Sequence, residues 1–431
     1  MASPVKGQPS EAGQVQIPAE ASLPKKGTLS LGVFWDATLS QIATSLPVYL
    51  VVILVTSHSS MANVFLISAL TFSTGLAVSL TRAWLSGSIA IQSSGEVQVL
   101  LHLRRRFLRA DVTKCVAVCM LIIGGFALTT DASAIQVFVG YLVCLSSCLN
   151  DYHRQLNFAA GKSRMAMKID MTFIAILAGM FAYELWIGQI DYLTMAMCWA
   201  LTTWMSTLVM YRVLYGSALS QIDTVQNLGE IRRSLLFDFL TGFGVLQLIY
   251  LLAPVIASQS DSATLRLALI ATGPSAVMAQ AFTVSGLTMI MSNPVGRLKR
   301  LSLAGGLIFG CTFAVSLCLL AASPTQIETH LGSAWLSVRP LAFCMLIMSL
   351  THGISIITIL PMRWEGKPDL IVKARLLSLP ANALAPALGL YFDGVQGCLL
   401  GLSFSNVCTW LINGMLLRQQ TGSGKVTREL S

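Results

Sequence analysis

The chain has 431 residues, of which 55% are hydrophobic and 11% charged, against about 25% charged residues in an ordinary soluble domain. That balance excludes a string of soluble domains. The formal charge of +9 sits in short connections between apolar runs, so it needs no nucleic-acid partner to explain it.

Residues 1–30 are rich in Pro, Gly, Gln, Ser and Glu and lack an apolar core, which predicts a disordered cytosolic tail and not a cleaved signal peptide. Twelve apolar runs follow, near 31–57, 62–81, 113–130, 133–150, 169–187, 192–211, 235–257, 264–291, 301–321, 333–361, 376–392 and 395–417. Most are close to the roughly 20 residues that cross about 30 Å of hydrocarbon as a helix, and those that exceed about 25 leave room for tilt or a kink. The runs are continuous and not alternating, so they read as helices, which pair every backbone N–H and C=O within the segment.

The first span opens on Asp36 and carries Pro47; the second closes on Arg82. Between spans two and three, EVQVLLHLRRRFLRAD sets Leu and Phe among Arg104, Arg105, Arg106 and Arg109, the pattern of a basic amphipathic helix in the inner interface. Span four runs into LNDYHRQLNFAAGKSRMAMKID, which holds Asp151, Arg154, Lys162, Arg164 and Asp170. Span seven opens on Asp238 and carries Pro254, and span ten ends just before GKPDLIVK. A terminal segment, 418–431, completes the chain.

Basic residues test this count. If the N-terminal tail is cytosolic, every one of the 28 Lys and Arg residues except Arg266 and Arg339 falls on the cytosolic side, as the positive-inside rule requires of short loops. Both termini are then cytosolic. Arg266 and Arg339 stand at external span ends, where topology disfavours them, and are candidates for an exit-side contact with an anion.

GKSRMAMK and GKPDLIVK share Gly-Lys, five residues and Lys, and a shift of the first half also lays Phe34-Trp35-Asp36 over Leu236-Phe237-Asp238. Six spans per copy make this a parallel repeat about an axis along the membrane normal. The expected organisation is an all-α integral membrane protein with a six-helix lobe over 31–211, a cytosolic linker over 212–233 and a second six-helix lobe over 234–417. Asp36 and Asp238, in equivalent first turns, read either as helix caps or as coupling groups for a proton or cation, with pairing to Arg82 also open. The ten cysteines include no Cys-x-x-Cys and are read as small packing residues, so neither a metal nor a cofactor is expected. Gly306-x-x-x-Gly310 and the Ala381, Ala385, Gly389 series are read as sites of close helix packing.

Twelve spans in two parallel lobes, with Asp151, Tyr152, Arg154, Phe158, Ala159, Lys162, Arg164 and Asp170 after span four and LTRAWLSG after span two, resemble bacterial polysaccharide-biosynthesis exporters. These belong to the multidrug/oligosaccharidyl-lipid/polysaccharide (MOP) exporter superfamily. The resemblance implies a MATE-like fold in the bacterial cytoplasmic membrane, in which two lobes rock about a central cavity and pass a lipid-linked saccharide to the outer leaflet. It also implies membrane lipids, the cargo, and glycosyltransferases or a polymerase of the same pathway as partners. A pyrophosphate-linked sugar does not cross hydrocarbon unaided, so the cavity must supply donors and positive charge. The candidates are Arg154, Lys162 and Arg164 at the entrance and Arg82 deeper, with Asp151 and Asp170 as further cavity or coupling groups. An ion-coupled small-molecule exporter on the same fold is the alternative. An enzyme is disfavoured, because no outer connection offers room for a catalytic domain, and a major-facilitator carrier lacks its Gly-Arg-Arg turn here.

Overall fold

A computed structural model of the protein describes residues 31–86, 94–160, 162–215, 228–282, 296–364 and 368–422. The N-terminal tail, residues 423–431 of the C-terminal tail, 87–93, most of the 212–233 linker, the end of the expected eighth span (283–291) with 292–295, Glu365, and Gly161, Gly366 and Lys367 of the repeated basic segments lie outside them. So do the side chains of 94–107, and with them the amphipathic reading of that stretch.

Among the described residues all regular structure is helical. Helices α1 (Leu31–His58), α2 (Met61–Thr81), α3 (Ser94–Thr129), α4 (Ala134–Ala159), α5 (Ser163–Ile187) and α6 (Tyr192–Tyr215) form the first half. The second half begins with α7 (Leu228–Phe239) and α8 (Val245–Ile256), joined through a wide π turn over Leu240–Gly244. It continues with α9 (Gln259–Ala271), α10 (Gly273–Ala281), α11 (Arg297–Ala321), the short α12 (Pro324–Leu331), α13 (Ala342–Trp364) and α14 (Pro368–Gly422). Ten described helical segments are long and apolar enough to cross a membrane. The longest, α14, contains the expected spans eleven and twelve, bent at Asp393 and Gly394, the latter with φ of 56°. The expected eighth span is broken instead of continuous: α9 ends at Ala271, and Gly273-Pro274 restarts the helix as α10, with Pro where its missing N–H costs nothing.

Two expectations are corrected. The basic segment after span two is not a separate surface helix, because α3 runs unbroken from Ser94 through the third span. Gly306 and Gly310 face open space; the close approach is made by Gly305 against Gly353, one residue off the expected pair. The Ala385 and Gly389 packing holds, since Gly397 and Gly401 press on their carbonyls across the bend of α14 and a Cβ at either glycine would collide with backbone. None of the ten cysteines, all described, forms a disulfide; Cys119 and Cys148 meet at 3.6 Å between α3 and α4.

Within each half the first helix packs on the fifth: α1 on α5, and α7–α8 on α14. Across the seam α2 packs on α8 and α9, and α1 on α10 and α12. At one end of the seam Trp335 Nε1 donates to Thr56 Oγ1 at 3.0 Å, and Gly332, with φ of 96°, lies on the Thr56 carbonyl where a Cβ has no room. At the other end the π turn Arg82–Ser86 packs on α7.

Candidate functional site

The two halves enclose a cavity of about 310 Å³. Five helices of the first half line it, each through the i, i+3, i+4, i+7 face that a helix turns to one side. These faces are Gln41, Thr44, Ser45 and Val48 on α1; Thr71, Thr74, Gly75 and Val78 on α2; Ser147, Asn150, Asp151 and Arg154 on α4. Asp170, Phe173, Ile174 and Leu177 on α5 and Trp199, Thr202, Thr203 and Ser206 on α6 complete the wall. The second half contributes Gln247 on α8, Leu269 and Ile270 on α9 and Gly273, Ala276 and Val277 on α10. The cavity is therefore polar on one side and nearly apolar on the other.

Its charges gather where Arg82 closes α2. Arg82 donates from Nε and Nη2 to Asp151 at 2.9 and 2.6 Å, the two-pronged geometry that suits a planar guanidinium and a carboxylate. Arg154 donates to the same carboxylate and to the Thr44 hydroxyl, and to Gln41 Oε1 at 3.1 Å. Asp170 accepts from the Ser40 hydroxyl. One carboxylate thus holds two guanidinium groups, while a second lies on the same wall. Among the described lining residues the charges are two arginines against two aspartates.

The sequence candidates outside the cluster are Lys162, Arg164, Asp36, Asp238, Arg339 and Arg266, and one inside it is placed differently from the expectation. Arg154 is not at an entrance but fully buried within the Arg82 cluster. Lys162 Nζ donates to the Val213 carbonyl at 2.7 Å, holding the end of α6, and Arg164 is exposed. Asp36 accepts from the Ser163 hydroxyl at 3.4 Å and does not pair with Arg82, whose partner is Asp151. Asp238 forms an ion pair of 2.6 Å with Arg375, so its carboxylate is already neutralised by a neighbouring helix. Arg339 donates to the Leu320 carbonyl at 3.2 Å, near the end of α11. Arg266 is fully buried in the seam, its guanidinium 5.0 Å from the centre of the Phe65 ring.

Sequence reasoning missed Gln41, Thr44, Asn150, Ser206 and Gln247. The polar i, i+3, i+4, i+7 stripes on α1, α4 and α6 are the signal that marks most of them.

No family model matches the chain, and no curated protein matches it. Solved structures do share its fold. A MATE transporter in complex with MaL6 superposes with a TM-score of 0.58 at 14% identity, covering 91% of this chain and 95% of the other. A MOP superfamily transporter from Pyrococcus furiosus, whose binding pocket is described as reversed in polarity, gives 0.60 at 12% identity, with 91% and 95% coverage. An inward-facing multidrug resistance MATE transporter gives 0.59 at 11% identity, covering 90% and 99%. The protein is an all-α membrane protein with the MATE fold.

Proposed function

We propose that the protein is an alternating-access exporter that flips a lipid-linked oligosaccharide or polysaccharide precursor across the bacterial cytoplasmic membrane. The observation that carries this reading is the Arg82–Asp151–Arg154 cluster on the cavity wall. Two guanidinium groups sharing one carboxylate leave one positive charge in excess, in a site where charge-assisted bonds to phosphate oxygens are strong. An arriving pyrophosphate takes over donors that Asp151 now occupies. By the positive-inside orientation, the cluster lies in the cytosolic half, where the headgroup arrives. Above it the wall is lined by hydroxyls and amides, and the apolar α9–α10 side suits a lipid chain. Handing the product on to a polymerase or further glycosyltransferases fits that role.

The test is translocation of a polyprenyl-pyrophosphate-linked saccharide in proteoliposomes. Arg82→Gln and Arg154→Gln should each lower apparent affinity by roughly 5- to 150-fold, the equivalent of about 1–3 kcal/mol in charge-assisted bonds. Wild-type rates in both would remove the cluster from cargo recognition.

One observation favours the ion-coupled small-molecule exporter. Asp170, buried on the cavity wall beside Ser40, brings the formal charge back to balance and offers a carboxylate to a proton or a cationic compound. On that reading Asp170→Asn abolishes efflux of cationic dyes. On the preferred reading it leaves the cavity more positive and flattens the pH dependence of saccharide-lipid transport.

A further inference from the structure

The cavity wall beyond the arginine cluster holds two polar groups that the fold leaves unused. Hydroxyls on a membrane-spanning helix ordinarily return to a carbonyl of their own preceding turn. On α6, Thr202 does so to Cys198 at 2.8 Å, Thr203 to Trp199 at 2.8 Å and Thr207 to Thr203 at 2.8 Å. Ser206, in the same stripe and only 3% exposed, does not: its Oγ is buried and has no hydrogen-bond partner among the described residues. On α4, Asn150, 8% exposed, leaves its Oδ1 buried without a partner among the described residues. Asn157 Oδ1 is unpartnered as well, but that side chain donates its amide N–H to the His153 and Met210 carbonyls and does not line the cavity. Asn150 and Ser206 both line the cavity, and α4 and α6 pack along each other. Asn150 precedes Asp151 and lies one turn from Arg154, so a group bound there adjoins whatever the guanidinium groups hold.

Resting on the cargo reading above, we infer that Asn150 and Ser206 form a hydroxyl-reading subsite for the sugar nearest the pyrophosphate. The chemistry selects a neutral polyol. An amide oxygen accepts from an O–H, and a serine hydroxyl both donates and accepts; neither offers charge to an ion. Trp199, on the same α6 face two turns further along and lining the same cavity, presents an aromatic surface of the kind that covers the C–H face of a pyranose. Gln247 brings an amide to the same cavity from the opposite half. A buried acceptor without a donor is costly, and a site built to bond a hydroxyl discriminates against the analogue that lacks it. The subsite therefore reads whether a sugar is present, and the arginines read the phosphate.

The experiment measures binding to the full chain in lipid nanodiscs with two probes, a polyprenyl pyrophosphate and the same lipid carrying one hexose. Wild-type protein should bind the glycosylated probe about 5- to 30-fold more tightly, the equivalent of one or two hydrogen bonds. In Asn150→Leu and in Ser206→Ala that ratio should fall toward one, and Ser206→Thr, which restores a hydroxyl, should recover it. Both affinities are read on one preparation, so partial misfolding cancels in the ratio. Equal binding of the two probes by wild-type protein would overturn the subsite and leave the exporter reading standing. Binding of neither probe would overturn the exporter reading itself. A ratio unchanged in both variants would mean that the two polar atoms meet cavity water only.

Discussion

Replacing Arg266 with Met keeps an unbranched side chain against Phe65 while removing a charge that has no carboxylate partner among the described residues. The guanidinium is fully buried. Its Nε and Nη1 have no hydrogen-bond partner among the described residues, and its Nη2 reaches the Tyr250 carbonyl at 3.4 Å. Burying an ion costs several kcal/mol even after relaxation. The Phe65 ring at 5.0 Å returns about 0.5–2 kcal/mol of this through cation–π attraction. The packed seam between α2 and α9 is therefore raised in free energy by Arg266, and parting it admits water to the guanidinium. Arg266→Met should favour the packed seam by about 1–4 kcal/mol, the range seen when buried ionic groups give way to apolar ones. That is a shift of roughly 5- to 1,000-fold in the closed-to-open ratio. The assay pairs the thermal unfolding temperature, expected to rise, with labelling of a cysteine at the cavity residue Thr71 by an impermeant maleimide from outside, expected to slow. A lower unfolding temperature together with faster labelling would refute the reasoning. Unchanged values with transport lost would do the same, and would restore Arg266 as an exit-side contact with the cargo.

Asp238→Asn alone leaves Arg375 without its carboxylate and should cost about 3–5 kcal/mol, whereas replacing both residues with Leu should be near neutral or stabilising. Unfolding temperatures check the stability, and transport by the folded double variant is expected to persist; its loss would make Asp238 a coupling group after all. For topology, cysteines at Ser133 and Gln259 should react with an impermeant maleimide from outside, and one at Arg164 only after permeabilisation. External labelling at Arg164 would break the twelve-span reading and the duplication built on it.

The spans were legible because hydrocarbon imposes one length and one periodicity on any segment that crosses it, and because basic residues mark one face of the membrane. Breaks inside spans were less so. Gly273-Pro274 interrupts the eighth span, and the outer helix Pro324–Leu331 follows a Ser-Pro start with a capping box between Ser323 and Gln326, a local signal outweighed by the apolar runs around it. The choice between Gly305 and Gly306 depends on which face of α11 meets α13, and adjacent glycines give no periodicity to decide it. The site was half legible. Arg82, Asp151, Arg154 and Asp170 were singled out one by one, but the Arg82–Asp151 pair joins residues 69 positions apart, a relation set by how α2 lies on α4. Lys162 and Arg164 carried the same charge signal as Arg154, and where the helix ends separates them: Arg154 shares the α4 stripe of Ser147 and Asn150, whereas Lys162 lies past the end of α4 at Ala159 and holds the end of α6.

That division of roles continues between the halves. The shift that superposes GKSRMAMK on GKPDLIVK lays Asp170 over Arg375, and the shift that superposes Asp36 on Asp238 lays Ser40 over Gly242. The structure makes both contacts, between the first and fifth helices of each half, with the charge inverted. In the first half the Ser40 hydroxyl donates to Asp170. In the second, Arg375 binds Asp238 and lies against Gly242, where a Cβ would stand 3.0 Å from its Cζ. The glycine makes room for a guanidinium at the position where the first half has a serine beside a carboxylate. The second half has thus closed its polar contact upon itself, while the first keeps a carboxylate on the cavity wall, where a change in its protonation alters the charge that Arg82 and Arg154 present. On the exporter reading, cargo chemistry in both halves would need two such walls to separate together; confined to one, it would let the apolar α9–α10 face slide past without breaking any ion pair seen among the described residues.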